Sequence, residues 1–363
     1  MSNNVFQRII LPGLVFQSTM IGGGYATGRE LIEFFLQLGP KAGLVAMLIS
    51  TLVISLVSMV AFEFSRTFSI YDYRLFFRKL LGPGWILFEI AYIALILLVL
   101  SVLGAASGEL LENLLNIAPL WGTIVLMAAI GVLVFYGSNI IEGFLSSWSI
   151  ILYIAYATLI IWSLYTFGDA ISTNIMTNDQ PSIEFSALQG GWSYAGYNVV
   201  VFIAVLFVVR HFKSRSDSVW AGLLCGPLTM IPGFLLMIAM MAHYPEIVDK
   251  SLPINYLLDQ LKAPGFMLIF QIVIFGTFIE TGTALLHSVN ERIAEVYTEK
   301  ESEMPRYLRP VISLSLLFVA IYLADAVGLV SLIGQGYAYS SYLFLAIVVL
   351  PILTRGVWLI YKR

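Results

Sequence analysis

Ten long runs of apolar residues, separated by short polar segments, organise this 363-residue chain. A helix needs about 20 apolar residues to cross roughly 30 Å of hydrocarbon. The runs are continuously apolar rather than alternating, which argues against a transmembrane barrel. The pattern predicts an all-α polytopic membrane protein with ten transmembrane helices, named spans 1 to 10, near residues 9–38, 41–65, 84–113, 119–136, 145–168, 190–210, 217–243, 264–290, 307–324 and 327–358.

The distribution of Lys and Arg predicts how these spans are oriented. With the N-terminus inside, 15 of the 19 basic residues fall in inner segments, and three, Lys41, Lys250 and Lys262, fall in outer loops. Arg29 lies within span 1. We therefore expect a multi-pass protein of the inner (plasma) membrane, surrounded by lipid bilayer, with both termini cytoplasmic.

Composition excludes several classes of protein. Only 11% of the residues are charged and 59% are hydrophobic, whereas soluble domains carry roughly 25% charged residues. The single Cys225 excludes an intramolecular disulfide. No phosphate-binding G-x-x-x-x-G-K-[ST] motif, catalytic triad or metal-ligand cluster is visible in the sequence. We expect no enzyme activity, no organic cofactor and no nucleic-acid partner, and the oligomeric state stays open.

The organisation of the first half recurs in the second. A short helix-like segment follows the second span of each half, at 69–80 and at 253–261, and the third span of each half is long. Five spans followed by five of opposite orientation form an inverted-topology repeat. We predict repeats at 1–168 and 190–363, joined by a polar external linker at 169–189; ten unrelated helices are the alternative.

Span 1 carries three consecutive glycines near its middle, Gly22, Gly23 and Gly24. Each costs about 1 kcal/mol in a helix relative to alanine, so the run predicts a break. Broken helices expose backbone groups that bind substrate and ions at the bilayer midplane. We predict substrate contacts from Gly23 and Gly24 and from the residues that follow, Tyr25, Ala26 and Thr27. Close helix packing through small residues is the alternative.

Span 6 carries a weaker signal of the same kind. Gly196 and Asn198 would suit a second break, with Tyr194 and Tyr197 as hydrogen-bonding walls. These four positions predict a discontinuous span 6, and the tyrosines and Asn198 are candidate substrate ligands. Tyrosines also anchor helices at the membrane surface, which is the alternative.

Ionisable residues inside spans indicate function by default. At helical spacing Glu280, Thr283 and His287 share one face of span 8, a set that suits a hard cation or a proton. Thr281 adds a neighbouring hydroxyl. We predict an ion-coupling site there; a structural ion or hydrogen-bond pair is the alternative for Glu280.

Arg29 lies just beyond the glycine run. Glu33 is four residues further on, and the two charges would neutralise each other on one helix face. Alternatively, Arg29 meets Asp325, at the outer start of span 10, as an outer gate.

The stretch Gly22-Gly23-Gly24-Tyr25-Ala26-Thr27-Gly28-Arg29-Glu30, followed by Phe34-Phe35, resembles the first helix of YkvI-type bacterial membrane proteins. Glu280-Thr281 resembles their eighth helix. That group looks like a branch of the amino acid–polyamine–organocation superfamily with the LeuT fold. The resemblance implies a five-plus-five inverted repeat with unwound helices 1 and 6.

The resemblance also implies a site for Na⁺ between the helix 1 backbone and helix 8 hydroxyls, near Gly22, Gly24 and Thr283, with Glu280 beside it. The chain departs from sodium-coupled members because Ala284 follows Thr283, where they have adjacent hydroxyls. Those members also place a tyrosine in the middle of helix 3, where this chain has small residues including Ser101 and Gly104. The small residues leave room for a larger substrate, or for one that is not an amino acid.

These observations together predict a secondary transporter that works by alternating access. We expect symport of a small organic solute, an amino acid or a related carboxylate, with Na⁺ or H⁺ as the coupling cation. An ion or metal-ion transporter on the same fold and a non-transporting membrane receptor are the alternatives.

Overall fold

The computed structural model describes residues 5–136, 138–177, 183–299 and 307–363, together with 302, 304 and 305. Every regular element in these residues is helical, as the apolar runs predict. The main α-helices are α1 Leu11–Met20, α2 Gly23–Ala26, α3 Arg29–Phe34, α4 Pro40–Phe68, α5 Tyr73–Leu81, α6 Trp85–Leu115, α7 Pro119–Tyr136, α8 Ser138–Thr177, α9 Ile183–Asn198, α10 Arg215–Met240, α11 Pro253–Gln260, α12 Pro264–Glu299 and α13 Leu308–Val327. A 3₁₀ helix at Val199–His211 follows α9, and the last helix, α14, Leu329–Tyr361, alternates α and π turns.

Eight helices in the described part of the chain are long and apolar enough to cross a membrane. The remaining two predicted spans are α7, whose described apolar stretch is shorter, and the interrupted segment α1 to α3. The all-helical membrane architecture is therefore confirmed, while the count of ten spans stays a prediction.

Both short helices expected between spans are present. Asp72 caps α5 by accepting hydrogen bonds from the backbone N–H groups of Arg74 and Leu75, each at 2.9 Å, which satisfies donors that a helix start leaves free. The predicted segment 253–261 forms α11. The long third spans are also confirmed, since α6 and α12 have 31 and 36 residues.

The stretch predicted as a polar linker, 169–189, is helical over most of its length. Helix α8 bends at Phe167 and continues to Thr177, and α9 begins at Ile183; residues 178–182 lie outside the described part. The extension stays helical because Ile171 is buried and Asn174 donates to two carbonyls at the end of the seventh predicted span.

The helices pack in two groups that flank the interrupted first segment. Helix α4 packs against α9 and α10, and α6 packs against α7, α12 and α13. Close approach of α4 to α10 depends on Gly222 and Gly226, where a Cβ would collide with the backbone at Met59 and Thr51. Between the groups, α1 contacts α10, while α2 contacts α6 and α12.

Both ends of the described chain lie on one side, which we call the termini side. Near the N-terminus, Arg8 binds Asp217 at 3.0 Å, at the start of α10. At the C-terminus, Arg363 donates to the Thr67 carbonyl at the end of α4. The opposite side carries α11.

Candidate functional site

The predicted break in span 1 is present. Helix α1 ends at Met20, and Gly22 has extended backbone angles (φ −114°, ψ −158°). One turn of helix, α2, follows and contains the backbone of Gly23 and Gly24. Consecutive glycines weaken the helix at this point, and the backbone turns away from the α1 axis. The sequence therefore identified the interruption correctly.

A second interruption follows at Gly28. Its φ of +77° lies in the left-handed region, which favours glycine. A Cβ on Gly28 would lie 3.0 Å from the Ile254 side chain of α11. The backbone N–H of Ile254 donates to the Thr27 carbonyl at 3.3 Å. Helix α11 therefore lies directly on the outer part of the broken segment.

The break in span 1 contacts span 8 through Gly22. A Cβ at this position would lie 3.1 Å from the Thr281 hydroxyl oxygen and 3.2 Å from its methyl carbon. The absence of a side chain at residue 22 thus lets α12 approach the extended backbone, and it keeps the adjoining space open.

A cavity of about 130 Å³ lies at this break. It extends from Gly22 toward the termini side, between α1, α6, the 3₁₀ helix and α12. Polar groups and tyrosines form part of its wall, and aliphatic side chains line the rest. Its lining is Thr19, Met20, Gly22, Glu30, Tyr92, Leu95, Ile96, Val99, Tyr197, Asn198, Val200, Val201, Ile203, Ala204, Thr281, Leu285 and Tyr337.

A buried carboxylate forms part of this wall. Glu30, on α3, is 6% exposed, and its Oε2 accepts a 2.9 Å hydrogen bond from the Tyr197 hydroxyl. The Tyr197 ring stacks on Tyr337 of α14 with centroids 4.5 Å apart. Three predicted spans, 1, 6 and 10, therefore meet at one carboxylate.

Span 6 changes helix type where a break was predicted. The α-helical hydrogen bonding of α9 ends at Asn198, which keeps right-handed helical angles, and 3₁₀ turns begin at Val199. Gly196 packs closely against Ser341 of α14. The discontinuity at the predicted position is thus a change from α-helical to 3₁₀ turns, and Tyr197 and Asn198 at this junction both reach the cavity.

Polar contacts of Arg29 close the side opposite the termini. Its guanidinium lies 2.7 Å from Glu33 and donates to the carbonyls of Val248 and Lys250 at 3.0 Å each. On the neighbouring turn, the Tyr156 hydroxyl of α8 donates to the Ala26 carbonyl at 2.8 Å. Together with α11, these bonds hold the outer part of span 1 against both helix groups.

Arg29 pairs with Glu33 rather than with Asp325, so the first of the two anticipated arrangements is the one present. Asp325 lines a separate cavity of about 360 Å³ together with Glu109 and Glu112. The role of Arg29 and Asp325 as gate residues stays a prediction.

An arginine borders the cavity on the termini side. The Arg292 guanidinium lies 4.0 Å from the ring centroids of both Tyr92 and Tyr73, and 3.6 Å from the Glu89 carboxylate. Because Tyr92 also lines the cavity, Arg292 packs against one of the cavity's wall residues.

The predicted ion-coupling residues divide between two faces of α12. Thr281 reaches the cavity and Gly22, whereas Glu280, Thr283 and His287 are not part of its lining among the described residues. Glu280 interacts electrostatically with Tyr153 of α8. Thr283 is fully buried, and its hydroxyl has no hydrogen-bond partner among the described protein groups.

Several predicted substrate ligands are engaged away from the cavity. Tyr25 is buried with its hydroxyl against Gly233, and Tyr194 packs on Phe35 with centroids 4.7 Å apart. The backbone carbonyls of Ala26 and Thr27 accept the bonds described above.

The two small residues of span 3 have a packing role in this structure. Ser101 donates to the Leu97 carbonyl of its own helix at 2.8 Å. The Gly104 carbonyl accepts from Thr123 of α7, also at 2.8 Å. The small residues therefore admit a neighbouring helix rather than enlarging the cavity.

Sequence reasoning missed Glu30, Tyr92 and Tyr337 as cavity residues. A signal for Glu30 existed, since an ionisable residue inside a span indicates function and residue 30 follows Ala26 by one helical turn. No sequence signal pointed to Tyr337 or Tyr92, because the position of a tyrosine along its own helix does not show which other helix its side chain faces.

The chain is similar in sequence to YkvI of Bacillus subtilis (strain 168), an uncharacterised membrane protein, with 24% identity over 349 residues and 92% of each chain covered. No protein-family model matches the chain.

Three solved structures share its architecture. MhsT in complex with L-phenylalanine has a TM-score of 0.63 at 17% identity, covering 94% of this chain and 87% of the other. The manganese transporter of Eremococcus coleocola has a TM-score of 0.59 at 15% identity, covering 96% and 78%. A Na⁺-coupled sialic acid symporter has a TM-score of 0.58 at 14% identity, covering 95% and 85%. This chain has the LeuT fold.

Proposed function

We propose that this protein is a secondary transporter that carries a small organic solute across the cytoplasmic membrane by alternating access, with both termini in the cytoplasm. The observation that carries the proposal is the cavity at the break in span 1, where extended backbone lies inside a membrane-spanning body. Irregular backbone at membrane depth is tolerated where it lines a cavity or the protein interior.

The asymmetry of the two sides supports this function. Opposite the termini, Arg29, Tyr156 and α11 hold the broken segment closed. Toward the termini, the cavity extends along α1 and the 3₁₀ helix. A carrier needs a binding site that is closed to one side of the membrane while it is open to the other. Breaking the bonds of Arg29 would open the side that is closed in this structure.

The lining favours an organic solute over a bare ion. Aliphatic side chains of Leu95, Val99, Val201 and Ala204 form much of the wall, and ligand pockets of this kind are apolar with a few placed polar groups. Hard cations prefer six or more oxygen ligands. The similarity to a manganese transporter keeps transport of a metal ion as the second candidate.

Coupling to Na⁺ or H⁺ is proposed at the contact of span 1 with span 8. Thr281 lies against Gly22 on one face of α12, and the buried Thr283 hydroxyl and the Glu280 carboxylate lie on the other face of the same helix segment. Hydroxyl and backbone oxygens suit Na⁺, whereas a carboxylate inside the membrane suits H⁺. The two ions remain alternatives, to be separated by experiment.

The function is tested by the melting temperature of the purified full-length protein. Amino acids, small carboxylates, small amines and MnCl₂ are screened at about pH 5.5 and pH 8, in NaCl or KCl. A ligand at about 100 times its Kd adds about 2.7 kcal/mol of stability. We expect an organic solute to raise the melting temperature, and Gly22→Leu, which fills the cavity, to remove that shift. A shift with MnCl₂ alone would favour the second candidate, and no shift with any compound contradicts ligand binding at this cavity.

A further inference from the structure

Glu30 presents a carboxylate to the cavity with no basic side chain bound to it among the described residues. Its hydrogen-bond partner is the Tyr197 hydroxyl. Arg29, the neighbour in sequence, is directed to Glu33 and to two backbone carbonyls instead. A buried charge is costly unless it is paired, so a positively charged solute in the cavity would stabilise the ionised form of Glu30.

Tyrosine rings lie beside the same carboxylate. The Tyr197 hydroxyl donates to Glu30, and the Tyr194 ring packs edge-on against the Tyr197 ring with centroids 5.8 Å apart. Tyr197 and Tyr337, whose rings stack, also line the cavity, as does Tyr92. Organic cations are attracted to the faces of aromatic rings as well as to carboxylates.

The rest of the cavity determines the size and polarity of the uncharged part of an organic cation that could bind there. The volume of about 130 Å³ is slightly below that of a 150 Å³ protein cavity that admits benzene. Aliphatic side chains from α6 and the 3₁₀ helix line it beyond the tyrosines. A body of about six carbon atoms is therefore the upper limit of what the cavity holds.

We propose that the transported solute is a small amine with one positive charge and a compact apolar body, and that Glu30 determines this specificity. The proposal deepens the proposed function and rests on it. The ammonium group is held between the Glu30 carboxylate and the rings of Tyr197 and Tyr337. The apolar body lies against Leu95, Val99 and Val201.

The side opposite the termini carries a charge pattern that fits a cationic solute. Glu109, Glu112 and Asp325 line one cavity there. Asp249 and Asp259 line a second, which shares Ser251 with the first and contains one basic residue, Lys250. A cleft dominated by one sign of charge raises the local concentration of oppositely charged solutes, so this surface favours cations on their approach.

Three probes that share a cyclohexyl ring but differ in charge, together with leucine as an amino acid, test the proposal. Binding of cyclohexylamine, cyclohexanol, cyclohexanecarboxylate and leucine to the purified full-length protein is measured by isothermal titration calorimetry at pH 7. We expect the amine to bind at least tenfold more tightly than the other three. Equal or tighter binding of the alcohol, the carboxylate or leucine overturns the proposal, as does the absence of amine binding.

Glu30→Gln keeps the shape and hydrogen-bonding ability of the side chain but removes its charge. We expect amine affinity to fall by about tenfold to a hundredfold, the range for a lost charged hydrogen bond, while the preference for amine over alcohol disappears. The ratio of the two affinities within one variant does not depend on overall stability. Glu30→Asp keeps the charge and should keep the preference.

The matched control is Glu291→Gln, which removes an exposed carboxylate paired with Arg309; it should bind as the wild type does. Amine binding unchanged by Glu30→Gln contradicts the role of Glu30. If leucine binds at the cavity and loses its binding in Gly22→Leu while amines do not bind, the amine proposal fails and the transporter proposal stands.

Discussion

Gly22 lies so close to Thr281 that a Cβ on the glycine would be 3.1 Å from the threonine hydroxyl oxygen. This contact joins the extended backbone of span 1 to span 8 at one end of the cavity. A side chain at residue 22 would have to occupy the space where we place the solute.

Gly22→Leu should therefore abolish solute binding while the protein still folds. Its Cβ requires the Thr281 side chain to shift by a few tenths of an ångström, and we expect the rest of the leucine side chain to occupy the cavity in place of a ligand. Binding of the best solute is measured by thermal stabilisation, and folding by size-exclusion chromatography. Gly265→Leu is the control, since no atom lies within 4 Å of a Cβ there. Undiminished binding in Gly22→Leu would place the solute elsewhere.

Gly28→Ala should destabilise the protein without blocking the cavity. An alanine at φ +77° costs about 1–2 kcal/mol, and its Cβ would press on Ile254. The expected result is a lower melting temperature, measured against Gly265→Ala. An unchanged melting temperature would mean that the second interruption adapts without strain.

Glu280→Gln should abolish accumulation of solute against its gradient while binding persists. The carboxylate lies in α12 beside Tyr153 and away from the cavity lining, so it bears on coupling rather than on contact with solute. Uptake into proteoliposomes with an imposed Na⁺ or H⁺ gradient is the measurement, with Glu291→Gln as control. Accumulation equal to that of the wild type contradicts a coupling role.

Much of the fold follows from local sequence pattern. The glycine run predicted the interruption after α1, and the two short helices were visible because Ser69–Leu80 and Pro253–Leu261 combine polar and apolar residues at helical spacing. The extent of α8 was not visible. Its last turns are polar, and contacts such as that of Asn174 with Met241 stabilise them only in the folded protein.

The site was predictable only in part because spacing along one helix does not identify the partner helix. Tyr197, Asn198, Gly22 and Thr281 were expected near the substrate or ion and do line the cavity. Gly104 carries a similar signal, a small residue at mid-span, but it packs on Thr123.

Glu30 shows the converse case. Its neighbours Arg29 and Glu33 form the ion pair that their spacing suggests. The sequence could not show that Glu30 turns instead toward a tyrosine 167 positions away.

Alternating access is tested most directly by the accessibility of the cavity from each side of the membrane. Thr281→Cys, in a Cys225→Ser background, places one thiol in the cavity wall. A membrane-impermeant thiol reagent is added from either side of oriented vesicles. Wild-type Arg29 should give fast labelling from the termini side and slow labelling from the opposite side.

Arg29→Ala removes the bonds to Glu33, Val248 and Lys250, and should speed labelling from the side opposite the termini several-fold. We predict that the reagent reaches the same thiol from both sides of the membrane. Arg29→Ala should speed labelling from the side opposite the termini and slow labelling from the termini side. Labelling from one side only, in both proteins, would contradict this prediction.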